Sequence, residues 1–236
     1  MRKKLINQIK EKVISSYSAI AHEFDQTRKI PWQEFNHFLA YTKHGGKSLD
    51  LGCGNGRLYE FLKQKEVDYL GVDHNSHLLD KAKENYPECR FQLADMMDLN
   101  LPEEAFDNIF CIASFHHIPG RKMRKEVSES IRKSLKTDGI LILTVWNLFQ
   151  LKYLNTLLKS ILSFIVHFGF KNAWNDLWIK WGNYPIKRYY HAFLPKELIK
   201  IFSTDSWEIE EFYFTRKGKK VSFFRAYNLV LVVRKK

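Results

Sequence analysis

The stretch "SLDLGCGNGRLYEFL", residues 48–62, places glycine at every second position from Gly52 to Gly56, between an apolar run and an amphipathic one. That pattern predicts a strand turning through glycines into a helix. Glycine tolerates φ > 0 and lets a ligand approach bare backbone. Taken alone, G-x-G-x-G is shared by turns that hold phosphates, dinucleotides and adenosyl groups. The dinucleotide fingerprint has its third glycine one residue later, and the Gly-Lys-Ser/Thr ending of a phosphate loop is absent here.

The segments around this turn alternate. "KSLDL" (47–51), "DYLGVD" (68–73), "RFQLAD" (90–95), "AFDNIFCIAS" (105–114) and "ILILTVW" (140–146) read as strands. "GRLYEFLKQ" (56–64), "SHLLDKAKENY" (76–86) and "KMRKEVSESIRKSL" (122–135) read as helices, the second with Ser76 as its N-cap. The near-continuous apolar run at 105–114 fits burial on both faces. Five strands with helical crossovers imply a doubly wound, mostly parallel α/β sheet. Ahead of it, Leu5, Ile9, Val13, Tyr17 and Ile20 predict one helix over 3–25, and a second is predicted over 32–43, ended by Gly45-Gly46. Beyond it come an expected helical insertion or lid (147–187), a helix (195–202) and two strands (207–214 and 226–234), giving a seven-stranded sheet. The expected organisation is one domain over 1–236, with N-terminal helices (1–46), a core (47–146), the insertion and closing strands (188–236).

Composition bounds the partners. The 236 residues carry a formal charge of +12 and are 45% hydrophobic, which excludes global disorder. That charge favours a polyanion, either nucleic acid or an anionic membrane face, unless it serves solubility alone. Cys53, Cys89 and Cys111 are odd in number and widely spaced, which argues for a reducing, cytoplasmic setting and against a disulfide framework or a structural zinc. Lys10, Glu11 and Lys12 interrupt any signal-peptide core. The apolar stretch 148–170 contains Lys152 and Lys159, and its uncharged remainder is too short to span a bilayer. No integral membrane association is expected, while a helix lying on a membrane surface stays open.

Two acids sharpen the glycine turn. Asp73 ends the second strand 21 residues after Gly52, where a carboxylate accepts from both hydroxyls of a ribose. Asp95 ends the third and suits an adenine amino group, with Ala94 and Met96 bracketing the ring; a solvated turn acid is the other reading. Two carboxylates would repel a pyrophosphate, and the turn has no lysine. A cationic sulfonium donor, S-adenosyl-L-methionine, is therefore favoured over a nicotinamide dinucleotide.

At this point "LDLGCGNG", "GVDHN", "LADMMDL" and "FDNIFCIASFHHI" together resemble the class I S-adenosylmethionine-dependent methyltransferases, over residues 48–146. The resemblance extends the cofactor set to Asp50, Gly52, Cys53, Gly54, Gly56, Asp73, His74, Ala94, Asp95, Met96 and Ala113. Three stretches narrow it: "YSAIAHEFDQTRKIPWQEFNHFL" (17–39), "FHHI" followed by "LTVWN", and "KRYYHAFLPKEL" (187–198). These look like the eukaryotic tRNA wobble-uridine carboxyl methyltransferases, including the methyltransferase part of the tRNA-modifying AlkB-homologue fusion. The resemblance implies tRNA as partner, a methyl ester on a 5-carboxymethyl-type wobble uridine as product, and a small zinc-binding activator subunit as a further candidate partner. Residues 150–170 do not match that family, and with the final strand expected to run almost to residue 236, no appended RNA-binding domain is expected.

The chemistry agrees with a carboxylate acceptor. Its reference pKa is about 4, so it is ionised at neutral pH and needs no general base. The site must aim it at the methyl group, which calls for arginine, tyrosine and histidine donors. Arg28, His116, Trp146, Arg188, Tyr190 and His191 are the catalytic candidates, with Trp146 placed to stack on a flipped uracil. Against this, Tyr189 and Tyr190 also read as core aromatics, Arg28 as a surface charge, His116 as a packing residue and Trp146 as a barrier to solvent. Basic runs at 120–125, 131–133 and 215–220, with Arg225, form a candidate phosphate track or solvated faces; the last is flanked by Phe212, Tyr213, Phe214, Phe223 and Phe224. Other readings are a methyltransferase for a small metabolite or lipid-like acid, and a non-enzymatic binding module.

Overall fold

The computed structural model describes residues 3–28, 32–167, 173–182 and 184–236. Its elements run α1 (Lys3–Ala19), α2 (Ala21–Gln26), α3 (Phe35–Phe38), β1 (Lys47–Leu51), α4 (Tyr59–Leu62), β2 (Asp68–Asp73), α5 (Ser76–Asn85), β3 (Arg90–Leu93), β4 (Phe106–Ile112), α6 (Arg121–Ser134) and β5 (Leu135–Trp146). There follow α7 (Leu154–Val166), β6 (Asp176–Lys180), β7 (Lys187–His191), α8 (Pro195–Phe202), β8 (Trp207–Arg216), β9 (Lys219–Lys220) and β10 (Asn228–Lys235).

The main sheet has the order β3-β2-β1-β4-β5-β10-β8-β9. The pairings from β3 through β5 are parallel, and β10 runs antiparallel between β5 and β8. Strand alternation divides the core between two faces. Ile109, Cys111, Leu141, Leu143, Leu229 and Leu231 pack on one side, while Phe110, Ile112, Ile140, Ile142, Val230 and Val232 pack on the other. Burial on both faces is why these strands read as continuous apolar runs. From β1 the chain winds outward through β2 and β3, then returns to β4 on the opposite side. The crevice between the C-terminal ends of β1 and β4 is the topological switch point, where open α/β sheets bind ligands.

Several expectations need correction. The sheet has eight strands, because Lys217 and Gly218 (φ 50° and 73°) make a two-residue turn that brings β9 back onto β8. The single helix expected over 3–25 breaks at Ile20 (φ −117°), letting Asp25 of α2 reach Asn55 and Asn85, each at 2.9 Å. The helix expected over 32–43 keeps only α3, flanked by tighter turns such as Phe35 N–H to Trp32 O and Tyr41 N–H to Phe38 O. The N-cap of α5 is Asn75, whose side chain accepts from Leu78 N–H, and not Ser76. The insertion is a helix followed by a β-ribbon, β6–β7, paired from Asp176↔His191 to Lys180↔Lys187. Its alternating side chains explain this. Leu177 and Tyr190 face Leu148 and Leu157, whereas Trp178 and Tyr189 face Ile9 and Val13 of α1. Among the described residues no helix is long and apolar enough to cross a membrane.

Asn75 also ties α1 to the sheet. Its amide donates to Ile14 O and Ser18 Oγ, both at 3.0 Å. Replacing Asn75 by Ala removes a cap and two tethers and is expected to cost about 2 kcal/mol in urea unfolding. Ser76→Ala should stay within about 0.5 kcal/mol, and an equal loss for both variants would refute the cap assignment.

Candidate functional site

The glycine turn leaves β1 with Gly52, Gly54 and Gly56 at φ 80°, 57° and 78°. A Cβ on Gly52 would lie 2.5 Å from Ser114 Cβ, so the turn and the end of β4 can approach only because that position is bare. Ser114 Oγ closes the approach by donating to Leu51 O at 2.9 Å. Ala113, at φ 52°, is held there by its N–H bonding to both Thr144 O (3.0 Å) and Thr144 Oγ1 (2.9 Å). Asp73 is the clasp on the other side. Its Oδ2 accepts from Gly54 N–H and its Oδ1 from Asn75 N–H, each at 2.9 Å.

These elements enclose a cavity with about 840 Å³ of empty space, counting the part open to solvent. Asp50, Gly52, Cys53, Gly54, Asp73, His74, Met96 and Ala113 line it, and so do Arg28, Trp146 and Arg188. An outer basin of about 1310 Å³ shares Arg28, Trp32, Arg57 and Trp146 with it, and adds Lys152, Tyr153, Lys217 and Tyr227. The cavity thus has acids from the ends of β1 and β2, and arginines beside Trp146 and along the wall shared with the basin. Burial pushes the Asp50 carboxyl up to about 7, although Tyr69 donates to it at 2.8 Å.

Arg188 sits at one end of an oriented relay. His117 Nδ1 is 2.7 Å from the carbonyl of Tyr189, which can only accept, so Nδ1 carries the proton. Nε2 is then bare and accepts from the Tyr17 hydroxyl at 2.9 Å. The Tyr17 oxygen in turn accepts from Arg188 Nη1 at 3.1 Å. Burial pushes the His117 imidazole down to about 3, so it remains neutral. Arg188 is 2% exposed, yet its Nε has no hydrogen-bond partner among the described residues. Rings of Tyr17, Trp181 and Tyr190 surround its guanidinium at 4.4–5.2 Å.

Six of the expected residues lie off the cavity wall. Gly56 is turned toward Tyr86 and Phe91, where a Cβ would meet them at 3.0 and 3.1 Å. Ala94 packs against the core. Asp95 caps its own turn through Met97 N–H (2.9 Å) and holds Lys10 of α1 at 2.5 Å. His116 is buried behind His117, its Nδ1 3.2 Å from Trp146 N–H. Tyr190 stacks under Trp146 with centroids 5.1 Å apart. His191 lies between Asp176 and Glu197, each at 2.7 Å, in a buried network that joins the ribbon to α8. Conversely, Tyr17, Trp32, Arg57, Asn75, Ser114 and His117 line the cavity without having been singled out. Arg57 was within reach of sequence reading, since it directly follows the third glycine. The choice of His117 over His116 depends on the three-residue turn after β4 and has no sequence signal.

The basic runs also separate. Lys217 lines the basin, whereas Arg124 is buried and donates to Ile118 O (3.1 Å) and Glu197 (3.4 Å). Arg132 is paired with Glu129 at 2.6 Å.

Residues 49–139 match a family profile described as a methyltransferase domain. A tRNA (carboxymethyluridine(34)-5-O)-methyltransferase of Saccharomyces cerevisiae is 32% identical over 149 residues, which are 61% of this chain and 53% of that protein. The chain therefore spans about half the length of that relative. A crystal structure of a SAM-dependent methyltransferase from Methanosarcina mazei superposes with a TM-score of 0.68 at 21% identity, covering 84% of this chain and 96% of that one. A Haloferax volcanii putative methyltransferase, in complex with the Trm112 methyltransferase activator, has a TM-score of 0.63 at 16% identity, covering 94% and 97%. The site fits the cofactor on its own geometry: a bare turn, the Asp73 clasp beside it, and a sealed His74 Nε2 with no partner among the described residues.

With burial pushing Asp50 up to about 7, its carboxyl gains charge as the pH rises from 6 to 8. S-adenosylmethionine affinity, measured by calorimetry, is expected to rise several-fold between pH 6 and pH 7.5, as the ionised fraction grows. Asp50→Asn should flatten that rise, and an unchanged profile in the variant would remove Asp50 from cofactor binding.

Proposed function

We propose that this chain, whose residues 49–139 match a methyltransferase-domain profile and which shares the fold of SAM-dependent methyltransferases, methylates the carboxylate of a 5-carboxymethyl-type wobble uridine in tRNA. The observation that carries this reading is the division of charge in the cavity. Asp50 and Asp73 lie by the glycine turn, while Arg188 sits beside Trp146 and Arg28 and Arg57 line the wall shared with the basin, where Glu34 is the one acid among the described residues. A cationic donor suits the first group and an anionic acceptor the second. The name of the yeast relative supports the same acceptor.

S-adenosylmethionine supplies the methyl group when bound, held by the glycine turn, Asp73 and Asp50. The chain's own residues have to hold a carboxylate oxygen in line and keep water out. Arg188 is the aiming group: Tyr17 fixes one nitrogen and leaves the Nε edge uncommitted. No base is needed, and both histidines near the site are already committed, His117 to Tyr17 and His116 to the Trp146 amide. Trp146 offers a flat face at the border of cavity and basin, where an extruded base can stack. Tyr227, Tyr153, Lys152 and Lys217 in the basin suit the flanking nucleotides and phosphates. A small activator subunit belongs to the same proposal, since the Haloferax volcanii neighbour is seen with one.

One feature favours a second reading. Leu154, Leu158, Leu162 and Ile165 form an exposed apolar stripe on α7, which a lipid-like acid at a membrane surface would use. Binding to lipid vesicles without salt-dependent tRNA binding would select that alternative.

Mass spectrometry of tRNA nucleosides from cells lacking the protein is expected to show loss of an esterified uridine and accumulation of its acid. An unchanged nucleoside profile would reject the tRNA assignment. In purified protein, Arg188→Ala is expected to lower methyl transfer to tRNA by at least about 100-fold, with S-adenosylmethionine affinity changed less than about threefold. A variant with wild-type turnover would remove Arg188 from the acceptor site.

A further inference from the structure

Arg57 follows the glycine turn and lines both the cavity and the outer basin. Its guanidinium lies over the Trp32 ring at 4.2 Å. Among the described residues, Nη1 is sealed from solvent without a hydrogen-bond partner, and no ion pair with a carboxylate forms. Arg28 shares the same wall, stacks over Trp181 at 4.6 Å, and has Thr27 Oγ1 as its hydrogen-bond partner, at 2.7 Å. Burial and the charge of Arg28 push the Arg57 guanidinium down to about 9 against the opposing pull of Asp50 and Glu34, which still leaves it cationic at neutral pH. The fold thus sets two like charges side by side and partly desolvated, with Asp50 and Glu34 near enough to act on Arg57 but, among the described residues, no carboxylate in direct contact with either guanidinium. Such an arrangement is costly in the free protein and is relieved by an anion that enters between them. The indoles of Trp32 and Trp146 border the same space, so the entering anion is one carried on a flat ring.

We propose that Arg57, with Arg28, forms an anion subsite that selects substrates by charge: it holds one oxygen of the acceptor's carboxylate and rejects the uncharged analogue of the same base. The proposal rests on the carboxylate reading above and assigns its specificity to Arg57. The two arginine sites divide the work. Arg188 aims from beside Trp146, while Arg57 tests for charge at the border between cavity and basin. A guanidinium left without its anion explains the rejection, because a neutral amide restores neither the charge balance nor the bond.

The test uses the full chain saturated with S-adenosylhomocysteine and two anticodon stem-loop RNAs. They differ only in bearing 5-carboxymethyluridine or 5-carbamoylmethyluridine at the wobble position. Wild-type protein is expected to bind the acid about 30-fold more tightly than the amide, as for a charge-assisted bond lost from a buried site. Arg57→Met, which keeps an unbranched stem over Trp32, should reduce that ratio below about threefold, and Arg57→Lys should give an intermediate ratio. A ratio that survives in Arg57→Met overturns the proposal. So does equal weakening of both RNAs, which would mean that Arg57 holds a phosphate common to them. If Arg57→Met fails to bind S-adenosylmethionine, Arg57→Lys decides alone, and a wild-type ratio there overturns the proposal. Methyl transfer to the acid RNA is scored separately. Transfer with an Arg57-independent ratio removes only the subsite, whereas an Arg57-dependent ratio without transfer removes the reaction and leaves the subsite.

Discussion

The carboxylate of Asp73 is the point on which the rest of the site depends. One oxygen holds Gly54 N–H in the glycine turn and the other holds Asn75 N–H at the start of α5. Those bonds fix two loops that leave neighbouring strands, and they do so at the ligand-binding end of the sheet. Asn75, once placed, caps α5 with its oxygen and grips α1 with its amide. The grip on Ile14 and Ser18 sets the height of Tyr17, and Tyr17 joins Arg188 to His117. A single acid at a strand end therefore governs the donor side directly and the acceptor side through one helix. Charge-assisted bonds to backbone amides suit this role, because they are strong and their geometry leaves little freedom.

The same cavity keeps its acids and arginines out of direct contact. Among the described residues Arg28, Arg57 and Arg188 make no direct ion pair, although Asp50 and Glu34 act on Arg57 from a distance; their contacts are aromatic faces and hydroxyls. Aromatic faces steady a guanidinium without cancelling its charge, which leaves that charge to act on a ligand. The two histidines nearest the site serve as scaffolding. Each has its acceptor nitrogen occupied, and burial holds both imidazoles neutral. Under the proposed reaction this is economical, since an ionised acceptor needs orientation and shelter from water but no proton removed.

The insertion shows how a misread period hides part of a site. Its leucines and phenylalanines suggest a helix throughout, and α7 is one. The segment from Asp176 to His191 instead places aromatics on alternate faces, so that Tyr189 meets α1 and Tyr190 lies under Trp146. The ribbon is thereby gripped between α1 and the α7 side, and it carries Arg188 into the cavity. His191, three residues further on, belongs to the other consequence of the same ribbon, the buried link between Asp176 and Glu197 that ties it to α8.

By itself the sequence determined the parallel strands of the main sheet, the glycine turn and Asp73, because each is written in short-range terms: a run of apolar residues, a need for φ > 0, and an acid at a strand end. It also placed Arg28, Trp146 and Arg188 near one another, through resemblance and not through spacing. Only the tertiary structure decided that His117 and not His116 faces the cavity, that Asp95 is taken by Lys10, and that Arg57 stands unpaired among arginines. The physical reason is that these outcomes depend on partners supplied by distant elements. Tyr17 lies 100 residues from His117 and 171 from Arg188, and no local pattern encodes a hydrogen bond across that distance.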